Sequence, residues 1–183
     1  MEKKIKVALI YGSTRPGRFC DTVAAWAASA IGKSGRFEVQ LIDPARHPET
    51  KDQDGLRKRI AEADAFVVVT PEYNHGYPAA LKSLIDSFGA EWHAKPVGFV
   101  SYGGVSGGLR AVEQLRLVFA ELHAVTLRDS VSFASAWEQF DEAGALRSPE
   151  RAERTMATML ARLEWWAAAL RRARTEVPYT QAA

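Results

Sequence analysis

Three stretches of this chain are apolar at consecutive positions rather than alternate ones: KVALIY at 6–11, AFVVVT at 65–70 and PVGFVSY at 96–102. A strand with one wet face alternates apolar and polar residues, whereas a strand buried on both faces does not. These runs therefore need cover on both sides. The intervening segments supply it, because their apolar residues recur at helical spacing. Val23, Trp26, Ala27, Ala30 and Ile31 form one stripe, and Leu56, Ile60 and Ala63 a shorter one. Leu81, Leu84, Ile85 and Phe88 follow Pro78, which suits the first position of a helix. Leu109, Val112, Leu115, Phe119 and Leu122 form the next stripe. The last runs through Met156, Met159, Leu160, Leu163, Trp166 and Leu170, with Ser148-Pro149 as N-cap and first-turn pair.

Two further strands complete the pattern. FEVQLID at 37–43 alternates, and VTLRDSVSF at 125–133 is polar enough to suit a sheet edge. Between 43 and 53 lies a polar loop with His47, Pro48 and Asp52. Five strands alternating with five helices give an α/β class with a parallel sheet covered on both faces. Ligands of such sheets bind beyond the carboxyl ends of the strands. The loops after strands one, three and four are thus the places to look.

The first loop is GSTRPGRFC at 12–20. Gly12 and Gly17 have the spacing of a nucleotide-triphosphate loop, but Arg18 stands where that loop needs Lys and Phe19 where it needs a hydroxyl. The parts that polarise a triphosphate with Mg²⁺ are missing. Ser13, Thr14, Arg15 and a helix N-terminus suit a single phosphate instead. The second loop, TPEYNHGYP at 70–78, combines backbone-permissive Asn74 and Gly76 with Tyr73, His75 and Tyr77. It can offer main-chain groups and a ring to a planar heterocycle. The third, SYGGVSGGLR at 101–110, is glycine-rich but lacks the GxGxxG spacing of a dinucleotide fingerprint. Each loop taken alone also reads as scaffold: a solvated turn, an aromatic-capped turn, a flexible glycine run. Together, at one sheet edge, they describe a site for a mononucleotide with a planar ring, and FMN is the natural candidate.

Composition narrows the surroundings. Net charge is +2, which gives no general drive toward nucleic acid or an anionic membrane. It also argues against an electron carrier that meets its partners through an acidic face. The N-terminal apolar run is too short for a signal peptide or a membrane span. The single cysteine, Cys20, allows no internal disulfide, which fits a reducing, cytoplasmic location. A packing or backbone role suits it best. The four histidines lack metal-binding spacing, so no metal site is expected.

GSTRPGR after the first strand, PEYNHGYPAALKSLID at 71–86 and the SYGGVSGG loop resemble the NADPH-dependent FMN reductase and azoreductase family of flavodoxin-like proteins. The resemblance covers roughly positions 4–125. It implies a single flavodoxin-like FMN-binding domain over 1–183, a three-layer sandwich with strand order 2-1-3-4-5. Ser13, Arg15 and the backbone through Arg18, Phe19 and Cys20 would hold the phosphate. Pro71, Glu72, Tyr73, Asn74 and His75 would border the flavin ring, chiefly through backbone groups. Ser101, Gly103 and Gly104 would line its other side. Many family members carry a small hydroxyl residue at the position of Arg18, so its side chain has either replaced that phosphate contact or abandoned it.

The implied activity is ping-pong hydride transfer from NADPH or NADH to flavin N5, and on to a quinone, an azo compound or free flavin. No catalytic side chain is required. His75 is the candidate proton donor to a quinone, although a loop-surface role is the plainer reading. A homodimer or homotetramer is implied. The competing readings are a flavodoxin-type electron carrier and a non-catalytic nucleotide-binding module.

Overall fold

The computed structural model describes residues 4–46 and 53–182. The polar loop with His47, Pro48 and Asp52 lies outside them. Five strands form one all-parallel sheet: β1 (Ile5–Tyr11), β2 (Phe37–Ile42), β3 (Ala65–Pro71), β4 (Pro96–Gly103) and β5 (Val125–Ala134). Their spatial order is β2-β1-β3-β4-β5, as the resemblance implied. The helices are α1 (Cys20–Lys33), α2 (Gln53–Glu62), α3 (Ala79–Asp86), α4 (Leu109–Glu121), a single turn α5 (Ala136–Gln139) and the long α6 (Glu150–Glu176).

The sheet separates two apolar cores. Val7 and Leu9 of β1, with Val67 and Val69 of β3, pack against α1 and α6. Ala8 and Ile10, with Phe66 and Val68, pack against α2, α3 and α4. Every residue of β3 is buried, as its unbroken apolar run requires. On β5, at the edge, Leu127, Val131 and Phe133 are buried while Arg128, Ser132 and Ala134 are exposed. Burying this much aliphatic and aromatic surface on both faces is the dominant stabilising term.

Three helix readings need correction. Pro78 is the N-cap of α3, not its first residue. Its carbonyl accepts from both Leu81 and Lys82 N–H, and its φ of −64° is common to both positions. The Ser148 hydroxyl does not cap α6: Pro149 occupies the N-cap position and there is no side-chain cap bond. The buried stripe of α6 passes through Met156, Met159, Leu160, Leu163 and Ala167. Trp166 is 37% exposed and Trp165 64%. Four residues from Leu163 follows the helix face more closely than three, so Ala167 takes the core position.

Candidate functional site

The carboxyl ends of β1, β3 and β4 bring the three expected loops together. β1 ends against β3 through Gly12 N–H, which donates to the Val69 carbonyl at 2.7 Å. A Cβ on Gly12 would lie 2.7 Å from that same oxygen, so this approach admits only glycine. The chain then turns away from the sheet into the 13–19 loop and enters α1. No side chain caps α1. Within its first turn the Asp21 N–H donates to the Arg18 carbonyl at 3.4 Å and the Val23 N–H to the Phe19 carbonyl at 3.3 Å, and the turn carries the positive end of the helix dipole. Ser13 is completely buried at this point, while Arg15 is exposed.

Arg18 does not point its charge at this cradle. Its guanidinium makes a two-pronged pair with Asp43 at the end of β2, at 2.8 and 2.5 Å. It also donates to the Ser13 carbonyl and to Asp21. The side chains of Arg18 and Asp43 are only 9% and 8% exposed. Burial alone would raise the Asp43 carboxyl. The Arg18 hydrogen bonds, the Ala45 N–H and the Arg18 charge outweigh it and hold the group below its ordinary value. Hydrogen bonding to Asp43 likewise holds the Arg18 guanidinium in its charged form. The Arg18 side chain is therefore a brace beneath the loop, and what the loop offers an anion at this residue is main chain.

The segment after β3 is a two-residue hairpin. Tyr73 and Gly76 exchange N–H···O=C bonds of 2.9 and 3.1 Å. Asn74 and His75 sit between them with φ of 50° and 69°, the left-handed pair of a type I′ turn. The amides of Asn74 and His75 are left at the tip, outside the hairpin's own bonds. The His75 carbonyl accepts from Gln114 Nε2 at 2.8 Å, which ties the tip to α4. The His75 side chain is exposed.

Glu72 and Tyr73 point their side chains away from each other's targets. The Glu72 carboxylate accepts from Ser106 Oγ at 2.7 Å, from the Arg110 N–H at 3.1 Å and from the Arg110 guanidinium. Burial pushes this carboxyl up, but the Ser106 and Arg110 bonds dominate and its pKa is lowered. Glu72 thus clamps the hairpin onto the glycine loop. Tyr73 reaches the other way, and its hydroxyl lies 2.7 Å from Ser13 Oγ. The Arg15 guanidinium stands 3.5 Å from the centre of its ring.

The glycine loop is pinned rather than free. Ser101 Oγ and Ser132 Oγ both donate to the Gly107 carbonyl, at 2.8 and 2.9 Å. Gly108 has φ of +83°, and a Cβ there would lie 2.9 Å from Ser101 Cβ and from the Tyr102 carbonyl. That glycine serves packing. Gly104 is different: the nearest atom to an added Cβ is Trp137 Cη2, at 3.8 Å. Trp137, 59% exposed, stands on α5 beside this loop, and Ser135 N–H donates to the Gly104 carbonyl. Sequence reasoning did not assign Trp137 to the site. The available signal was a large apolar residue in a loop just after a strand end.

Cys20 opens α1 with its thiol buried, and Sγ lies 3.8 Å from the Val69 carbonyl. Burial pushes its pKa up, so the helix N-terminus does not activate it. Among the described residues no group of His, Cys, Asp and Glu is arranged to hold a metal ion, and no helix is long and apolar enough to cross a membrane.

The chain is similar to known proteins. An NAD(P)H-dependent FMN reductase of Schizosaccharomyces pombe is 38% identical over 120 residues, covering 56% of this chain and 60% of that protein. The matched stretch thus spans less than two thirds of that relative. An NAD(P)H:quinone oxidoreductase of Solanum tuberosum is 32% identical over 178 residues, covering 86% of this chain and 90% of that protein. Among solved structures, the flavoenzyme NAD(P)H:(acceptor) oxidoreductase FerB of Paracoccus denitrificans superposes with a TM-score of 0.72 at 23% identity. That superposition covers 90% of this chain and 98% of FerB. The flavodoxin of Megasphaera elsdenii superposes with a TM-score of 0.58 at 14% identity, covering 84% of this chain and 98% of that one. These two likenesses establish a flavodoxin-like fold. The family pattern described as NADPH-dependent FMN reductase matches residues 5–138, which include all three loops of the site. By its loops, its strand order and this match, the chain belongs to the NADPH-dependent FMN reductase family.

Proposed function

We propose that this chain is an FMN-dependent NAD(P)H oxidoreductase that passes electrons to a small planar acceptor, a quinone first among them. The single observation that carries the reading is the convergence of two unlike half-sites at one sheet edge. One is an uncapped helix N-terminus with Ser13 and Arg15 beside it. The other is a rigid hairpin and a pinned glycine loop joined through Glu72. The first half has the donors for one terminal phosphate, and the second has backbone amides and an open face for a flat ring. The donor set fits FMN. Bound FMN would supply the redox chemistry, taking hydride from NAD(P)H and releasing electrons to the acceptor in alternating half-reactions.

The chain's own residues bind and orient. The 13–20 backbone, Ser13 and Arg15 hold the phosphate. The Asn74 and His75 amides face the ring edge, and Gly104 lets the ring or the acceptor approach closely. Azo compounds and free flavin fit the same flat slot. The reading takes 1–183 as one FMN-binding domain, working in the cytoplasm as a homodimer or homotetramer.

The test begins with the full chain, freed of flavin and then reconstituted with FMN. NADPH or NADH oxidation coupled to a naphthoquinone is expected from the reconstituted protein and not from the flavin-free one. A protein that takes up no FMN contradicts the reading. Replacing Ser13 and Arg15 together by Ala is expected to weaken FMN binding about 30-fold, roughly 2 kcal/mol. Unchanged affinity would make this loop scaffold only. Trp137 offers a check on the acceptor side. Trp137→Ala is expected to raise the quinone KM by about fivefold, the loss of one exposed stacking contact of ~1 kcal/mol. FMN affinity should stay as in the wild type.

A further inference from the structure

We propose that Tyr73 is a positioning residue for the phosphate half of the site, although its loop borders the ring half. The inference rests on the FMN reading above. Tyr73 is 60 positions from Ser13 in sequence, yet its hydroxyl lies 2.7 Å from Ser13 Oγ. The same ring carries the Arg15 guanidinium 3.5 Å from its centre. So the two side chains that would meet a phosphate both rest on one tyrosine.

The arrangement has a physical purpose. Arg18, the other arginine of the loop, is committed to Asp43, Asp21 and the Ser13 carbonyl. Arg15 is then the loop's cation for an incoming anion. A long arginine side chain on an exposed loop loses much rotamer freedom when it binds. Stacking on an aromatic face removes part of that freedom beforehand and keeps the charge, because the cation–π contact leaves the N–H groups at the guanidinium edge to donate to an anion. The Tyr73 hydroxyl likewise fixes the rotor of a buried serine. Tyr73 itself is held from both sides. Its main chain closes the hairpin with Gly76, and the neighbouring Glu72 is clamped to Ser106 and Arg110. The ring half of the site therefore sets the geometry of the phosphate half. The specificity consequence is that Tyr73 discriminates FMN from a flavin lacking the phosphate.

The test is titration of the flavin-free full chain with FMN and with riboflavin, which shares the ring and lacks the phosphate. Tyr73→Phe keeps the ring and removes the hydroxyl. It is expected to weaken FMN about fivefold and leave riboflavin within about twofold. Tyr73→Leu removes both contacts and is expected to weaken FMN about 30-fold, again with riboflavin little changed. Ser13→Ala made on Tyr73→Phe should add less than it does on the wild type, since the two hydroxyls act as a unit. Thermal unfolding of the flavin-free variants measures what the buried Ser13 hydroxyl loses with its partner, and because that cost falls on both flavins alike, the ratio of FMN to riboflavin affinity separates positioning from folding. Equal losses for both flavins, or tighter FMN binding without the hydroxyl, overturn the proposal while the FMN reading stands. A wild-type chain that binds neither flavin overturns both.

Discussion

Arg18→Ala is expected to cost the protein about 3–5 kcal/mol of unfolding free energy. The size follows from burial. Asp43 is 8% exposed and Arg18 9% exposed, so removing the guanidinium leaves a largely buried carboxylate with the Ala45 N–H and the exposed Arg46 as its remaining partners. It also frees the Ser13 carbonyl, which Arg18 holds. Removing both partners, as in Arg18→Ala with Asp43→Ala, should cost less than Arg18→Ala alone.

The pH dependence has a definite sign. In the wild type the Asp43 pKa is depressed, so its contribution is present above the unfolded-state value and is lost as pH falls through the folded value. In Arg18→Ala the Arg18 hydrogen bonds and charge are gone, so burial opposes only the Ala45 N–H and the Arg46 charge and the depression is weaker. The gap between wild type and variant should therefore narrow from about pH 7 to about pH 3. Urea denaturation at both pH values measures it. A constant gap would mean that the ion pair is not the source of the loss.

The second large effect concerns the glycine loop. Gly108→Ala is expected to destabilise the fold by about 3 kcal/mol. Its φ of +83° disfavours any side chain, and the new Cβ would meet Ser101 Cβ and the Tyr102 carbonyl at 2.9 Å. Those atoms belong to β4, and they can yield only by moving the strand. Gly104→Ala, four residues earlier, meets nothing nearer than 3.8 Å and should leave stability within about 0.5 kcal/mol of wild type. Denaturant midpoints for the two variants, beside their flavin affinities, divide the loop into a packing half and a ligand half. Comparable stability losses at both positions would refute that division.

Much of the architecture was legible in local pattern. Consecutive apolar residues at 65–70 require a strand covered on both faces, and β3 is buried throughout. The helix stripes were equally readable, except where two phases compete. On α6 a tryptophan and an alanine, Trp166 and Ala167, both fit the apolar count, and the helix phase set by Leu163 put the alanine in the core. The three site loops were locatable because a parallel sheet puts the ends of its strands on one edge.

The sequence by itself determined the fold class, the family and the edge on which the site lies, because these depend on periodicity and on short motifs contiguous in the chain. Only the tertiary structure decided what the polar side chains of those motifs do. Arg18 looked like a phosphate ligand or its replacement and became a brace, because Asp43, 25 residues away, is buried beside it. Glu72 turned to Ser106 and Arg110, and Tyr73 to Ser13 and Arg15. The physical reason is the same in each case. A charged or hydroxyl group near a core must find a partner or forgo burial, and its partner is set by which strands lie side by side rather than by its neighbours in sequence.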